Sequence, residues 1–231
     1  MTIIGEVVNP RHADTHPGGG EDSGFTWKSA GTNSPLLTLR NSAWTFVNIL
    51  WVAHASNYAV VLERNAIETA AGEFDASHAT FLNNRFASGA GGISDTGGCF
   101  NVKVIDCFFQ ALTTACILGV GNIGVGQLNW DILRNRFYGF TNGVKISGVG
   151  CRIMGNCFDD GATPATTYVL NTDNAGGGSN NWVVDNIFQT TTANFNTPDI
   201  VGDATDVWFN HSIDATSAGV GGNWEAGQPA G

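Results

Sequence analysis

One phrase of apolar and polar positions returns about every 20–35 residues along the chain. It reads apolar, x, apolar, x, x, Asn or small, x, aromatic. Clear copies are Ala79-x-Phe81-x-x-Asn84-x-Phe86, Trp130-x-Ile132-x-x-Asn135-x-Phe137, Cys151-x-Ile153-x-x-Asn156-x-Phe158 and Asn181-x-Val183-x-x-Asn186-x-Phe188. Trp44-x-Phe46-x-x-Ile49-x-Trp51 and Val102-x-Val104-x-x-Cys107-x-Phe109 keep the apolar places and lose the Asn. Val207-x-Phe209-x-x-Ser212 reads as a frayed last copy. The first and third places alternate as in a half-buried strand, and the alternation breaks before the sixth, so a bend is expected there. Second, shorter strands are expected at Tyr58 to Leu62, Ala115 to Leu118, Gly143 to Ile146, Tyr168 to Leu170 and Ile200-Val201. The stretches Gly89 to Gly98, Gly119 to Gly126 and Thr172 to Asn180 read as variable returns. No stretch holds a 3.6-residue apolar period, so almost no helix is expected.

A fixed phrase at irregular spacing means stacked coils that each contact only their neighbours. The wording carried by Ile132, Asn135, Phe137, by Ile153, Asn156, Phe158 and by Val183, Asn186, Phe188 resembles the right-handed parallel β-helix of the pectate-lyase-like superfamily. The resemblance covers most of residues 36–215 and implies a fold, with almost nothing about activity. The expectation is an all-β chain: a right-handed parallel β-helix of about seven coils, rising about 34 Å at the inter-strand spacing. Residues 1–35 are expected as an extended N-terminal arm, 36–215 as the helix and 216–231 as a Gly-rich C-terminal tail. Inward Phe would stack on Phe, and the Asn side chains would form an amide ladder at the corner. A β-sandwich is the competing fold, but its strands would not repeat one phrase.

The fourth place holds Val47, Leu82, Ile105, Leu133, Met154 and Val184, an apolar series broken only at Asn210. Two readings stand side by side. The corner turns these side chains inward as extra core, or they form an outward apolar stripe that a soluble monomer would not leave wet. In the second reading three rods bury the stripe around an axis. Trp182 and Trp208 fall on the outward second place and join the same candidate trimer interface.

Composition narrows the partners. Net charge is −10, which argues against nucleic acid, since phosphate binding needs a basic face. No apolar run is long enough for a membrane helix, and the start lacks the basic and apolar regions of a secretion signal. A protein made and kept in a cytoplasm, or released by lysis, is expected. Cys99, Cys107, Cys116, Cys151 and Cys157 show no metal spacing, and their odd number suits reduced, buried thiols.

Candidate chemistry is thin. Glycoside hydrolysis needs two carboxylates about 5–10 Å apart. Asp106 and Asp185 share the fifth place three coils apart, about 14 Å by stacking, which is too far. Asp159-Asp160-Gly161 reads as a turn. Arg152, one coil after Asp131 at the second place, reads as its structural ion-pair partner. His12 and His16 have the spacing of two ligands on a helix, but Pro17 and the glycines after it oppose a helix. No catalytic residue, cofactor or metal site is expected.

These features are similar to those of bacteriophage virion proteins built on β-helices. That resemblance implies a homotrimeric capsid-decorating protein or short spike, located in the virion. It would attach to other virion proteins through residues 1–35, with Pro10, His12, His16 and Pro17 as candidate attachment residues. Two other functions compete: a polysaccharide depolymerase of the tailspike type, and a glycan-binding module that stacks sugars on Trp182, Trp208 or Trp224.

Overall fold

The structure, a computed structural model, describes residues 1–5, 25–31, 33–65, 74–119, 129–159, 169–172, 180–190, 200–201, 205–209, 211–215 and 222–224. Among them there is no helix, and strands stack in parallel into three sheets. The first, of eight strands, runs Thr2–Ile4, Thr45–Val47, Thr80–Leu82, Lys103–Ile105, Asp131–Leu133, Arg152–Met154, Trp182–Val184, Val207–Phe209. The second carries the end of each phrase, from Phe25–Lys28 through Arg136–Tyr138 to His211–Ala215, and closes on an antiparallel strand, Gly222–Trp224. The third holds the shorter strands, from Leu37–Leu39 to Ile200–Val201. Corresponding residues of successive phrases are register partners, such as Ile132 with Ile153 and Phe137 with Phe158. The chain is therefore a parallel β-solenoid, as the repeated phrase implied.

The interior follows from that register. The eighth-place rings form a continuous stack from Trp27 and Trp51 through Phe86, Phe109, Phe137 and Phe158 to Phe188, with centroids 4.6–5.9 Å apart. Offset stacking is the favoured arrangement when the coil rise itself sets the ring spacing. Beside it runs the amide ladder. The Asn135 carboxamide accepts from Cys107 N at 2.8 Å and donates to Val104 O at 2.8 Å; Asn156 accepts from Asn135 N and donates to Ile132 O, each at 2.8 Å. Asn186 and Asn84 repeat the pattern on Ile153 and Phe46. Each Asn thus satisfies two buried backbone groups of the preceding coil.

Cys107 fills the ladder place where Asn is missing. Its thiol lies 3.4 Å from both Asn84 N and Phe81 O, so it accepts and donates as the amide does. It was expected to be plain buried apolar filling.

The bend that the alternation foretold is made by one residue. Asn48, Asn83, Asp106, Arg134, Gly155 and Asp185, all at the fifth place, have φ between 53° and 65°. Asn, Asp and Gly tolerate this left-handed region best, which is why they dominate the place. A second left-handed column precedes the first place: Ala43, His78, Asn101, Asn129, Gly150 and Asn180.

Three expectations need correction. Gly91–Asp95, read as a variable return, is a wholly buried strand of the third sheet, paired with Tyr58–Leu62 and Ala115–Gly119. Its two leading glycines hid it, yet they are what lets it pack: a Cβ on Gly92 would stand 2.6 Å from Phe109 Cε1. The last phrase was framed one residue late. Trp182 pairs with Val207, Val183 with Trp208 and Val184 with Phe209, so the apolar fourth place ends on Phe209 and not Asn210. Trp208 consequently occupies the inward third place and is only 6% exposed, so it is core and not interface. In addition, Thr2–Ile4 and Phe25–Lys28 extend the first and second sheets within the region expected as an arm. Pro10, His12, His16 and Pro17 lie outside the described residues.

Candidate interaction face

The outward surface of the first sheet carries two columns. The fourth-place column is Ile4, Val47, Leu82, Ile105, Leu133, Met154, Val184 and Phe209, in unbroken register. It faces out. Leu82 is 37% and Phe209 53% exposed, while Val47, Ile105, Leu133, Met154 and Val184 are half-buried. None of these is among the partly buried apolar residues packed against the core. The left-handed fifth residue explains the direction. It turns the chain immediately after the fourth place, so the third-place side chain points in and the fourth keeps the strand's outward pleat. Of the seven large apolar residues exposed among the described residues, Ile4, Leu82, Trp182, Val207 and Phe209 belong to this sheet, Met1 directly precedes its first strand, and Ile187 lies on the second sheet. The exposed apolar surface is therefore concentrated on one side of the solenoid.

The second-place column is Thr2, Thr45, Thr80, Lys103, Asp131, Arg152, Trp182 and Val207. Its polar middle and the left-handed residues before the first place line a groove of about 520 Å³. One wall is His78, Asn101, Asn129 and Gly150; the other is Thr80, Lys103, Asp131 and Arg152. Asn101 Nδ2 lies 3.1 Å from His78 Nε2. Stacking of successive coils brings His78 beside Asn101, 23 residues away in sequence. The signal for the groove was present as recurrent polar residues one place before the phrase and at its second place. Their meaning depended on neighbouring coils.

Arg152 grips the buried Asp131 carboxylate through Nε at 2.6 Å and Nη2 at 2.7 Å, the ion pair expected from the sequence. Hydrogen bonding to Asp131 first, and its charge second, hold the Arg152 guanidinium above its ordinary range. Arg134 makes the same two-pronged contact with Asp106 at 2.8 and 2.9 Å, at the exposed corner. Both oxygens of each carboxylate are thereby engaged by a guanidinium. Asp185 shares the fifth place with Asp106, three coils away, and Asp160 lies outside the described residues.

The thiols are chemically quiet. Burial pushes Cys107 and Cys151 up to about 12, with backbone hydrogen bonds opposing it in both. Cys99 and Cys116 are raised as well, again chiefly by burial. Among the described residues no group of His, Cys, Asp and Glu is arranged to hold a metal ion. Nor is any helix there long and apolar enough to cross a membrane. No protein-family model, curated protein or solved structure matches this chain.

Proposed function

We propose that the protein is a structural component of a bacteriophage virion, a homotrimeric capsid-decorating protein or short spike. It is read as a right-handed β-helix of about seven coils, of the pectate-lyase-like kind, whose attachment segment lies within residues 1–35. The observation that carries this reading is the outward fourth-place column. Eight apolar side chains in register, beside a column of Thr, Lys, Asp and Arg that ends in the exposed Trp182 and Val207, are what a rod needs to bury against copies of itself. A column that repeats once per coil offers an apolar contact at every coil, so three rods can bury it around one axis. Trp182 sits at the rim of that contact, two residues from the fourth place. The setting in a virion draws on the likeness of the repeated phrase to β-helical phage proteins.

The depolymerase reading gains less from the geometry. Asp106 and Asp131 spend both carboxylate oxygens on Arg134 and Arg152, which leaves neither oriented toward a glycosidic bond.

Sedimentation equilibrium of the full chain tests the assembly. A particle of three 24.3 kDa chains at micromolar concentration is the expected result, and a stable monomer there overturns the trimer. The virion assignment is tested separately, by mass spectrometry of purified particles from a lysate that carries the gene. Absence of its peptides from those particles overturns that part.

A further inference from the structure

We infer that the outward face of the second sheet, around Phe108, is a docking surface for an acidic segment of another protein, two of whose carboxylates are taken by Arg85 and Arg136. This face is separate from the fourth-place column, and the inference rests on neither the trimer nor the virion assignment.

Arg85, Phe108 and Arg136 are register partners at the seventh place of three successive coils. The eighth-place rings that follow them are buried, so the strand pleat turns the seventh place outward. Arg85 Cζ stands 5.5 Å and Arg136 Cζ 5.9 Å from the centroid of the Phe108 ring, so both guanidiniums lie within cation–π range of one phenyl group. Gln110 and Tyr138 are register partners in the next outward column. Half-buried Leu50 precedes Arg85 in the seventh-place column, and half-buried Cys157 and the exposed Ile187 follow Arg136. Arginine, phenylalanine and tyrosine on a largely apolar surface are the side chains that carry most of the energy in contacts between proteins.

The charge of this patch is uncompensated. Arg40, Arg134 and Arg152 each hold a carboxylate, on Glu63, Asp106 and Asp131. Among the described residues neither Arg85 nor Arg136 forms such a pair, although the chain has 20 Asp and Glu against 10 Lys and Arg. Arg85 is half-buried; its Nη2 donates to Gln110 Oε1 at 2.7 Å, and its Nε is buried with no hydrogen-bond partner. Carboxylate partners hold Arg134 and Arg152 above their ordinary range, whereas burial pushes Arg85 below it. A half-buried cation held by one neutral amide gains more from an incoming anion than a fully hydrated one does. Asp159, the register partner of Tyr138, brings one negative charge beside the two guanidiniums, so the patch stays positive on a chain of net charge −10.

Two cations on either side of a ring select the partner. Arg85 and Arg136 are two coil rises apart, about 10 Å at the backbone. Residues i and i+2 of an extended segment point to one side about 7 Å apart. Two glutamates so placed reach outward to the two guanidiniums, and their methylenes lie over Phe108. Each carboxylate offers two oxygens to the planar N–H fork of an arginine. A long polyanion such as nucleic acid would press further phosphates against an acidic chain, and a short acidic segment does not.

The test uses the full chain and two capped pentapeptides, Thr-Glu-Val-Glu-Thr and its counterpart Thr-Gln-Val-Gln-Thr, with inorganic polyphosphate as a third probe. Binding is read by NMR titration of the arginine Nε–Hε signals. The glutamate peptide is expected to bind and to shift the Arg85 and Arg136 signals, with affinity falling about tenfold in Arg136→Ala and in Arg85→Gln. Lys103→Ala, exposed on the first sheet, is expected to keep it. Circular dichroism of each variant separates lost binding from lost fold, and Arg136→Glu, at an exposed position, is the replacement if Arg85→Gln does not fold. Four results overturn the inference: neither signal shifts with the glutamate peptide at up to about 10 mM, the glutamine peptide binds equally well, polyphosphate alone binds, or affinity is unchanged in both arginine variants.

Discussion

Replacing Asn156 by Ala interrupts the amide ladder at its centre, and its cost can be worked from the hydrogen bonds. The Asn156 carboxamide is wholly buried. Its Oδ1 accepts from Asn135 N at 2.8 Å and Asn135 Nδ2 at 3.0 Å. Its Nδ2 donates to Ile132 O at 2.8 Å and Asn186 Oδ1 at 2.9 Å. Two of these partners keep other bonds after the change: Asn135 Nδ2 still reaches Val104 O, and Asn186 Oδ1 still accepts from Asn156 N. The Asn135 N–H and the Ile132 carbonyl lose this partner inside the core. Each buried backbone group left so costs about 1–3 kcal/mol, which puts the variant about 2–6 kcal/mol below the parent. That is a large part of the roughly 5–15 kcal/mol that holds a domain folded. Asn156→Cys supplies the internal control. A thiol there can bridge the same two groups, as Cys107 already does with Asn84 N and Phe81 O. It is expected to fall between the parent and Asn156→Ala. Urea unfolding, run at one fixed protein concentration because assembly shifts the midpoint, measures both. A loss below about 1 kcal/mol for Asn156→Ala, or equal losses for Ala and Cys, would refute the ladder argument.

Other consequences are directly measurable. Ile105→Glu combined with Leu133→Glu puts two charges on adjacent rungs of the apolar column; the monomer should remain folded by circular dichroism while the oligomer dissociates, and an unchanged sedimenting mass would speak against the interface. Stability should fall in alkali. Cys107 and Cys151 stay protonated in the fold up to about 12, whereas the unfolded thiols ionise near 8.5. Their contribution is complete below the unfolded value and is lost as pH rises toward the folded one, by about 1.4 kcal/mol per thiol per pH unit. A urea midpoint that stays flat from about pH 8 to pH 10.5 would contradict this. Gly155→Ala should cost about 1 kcal/mol, because φ is +65° while the nearest atom to the new Cβ, Arg134 Cγ, is 3.5 Å away. Gly92→Ala should cost more than about 2 kcal/mol, since its Cβ would meet Phe109 Cε1 at 2.6 Å and Cys116 O at 2.7 Å. Thermal unfolding of the two variants, compared side by side, checks the order.

By itself, the sequence determined the stacking. The inward first and third places, the Asn of the sixth and the aromatic of the eighth repeat in the residues, and a parallel coil is the one arrangement that brings like onto like. The bend was legible too. The reason for its sharpness, Asn, Asp or Gly in a left-handed backbone at most fifth places, could have been read from composition at that position. Three matters were left to the tertiary structure. The fourth place could face in or out until the bend after it fixed the pleat, and only then did Leu82, Leu133 and Met154 become surface. The last phrase, lacking its Asn, could be framed on Val207 or one residue earlier. Pairing with Trp182–Val184 decided it and carried Trp208 inside. Cys107 could pass for apolar filling, because its role as an amide substitute exists only between Asn84 and Phe81 of the preceding coil. Periodicity within the chain sets which side chains are inside. What the outside does depends on neighbours about one coil rise away in space and some 20–35 residues away in sequence.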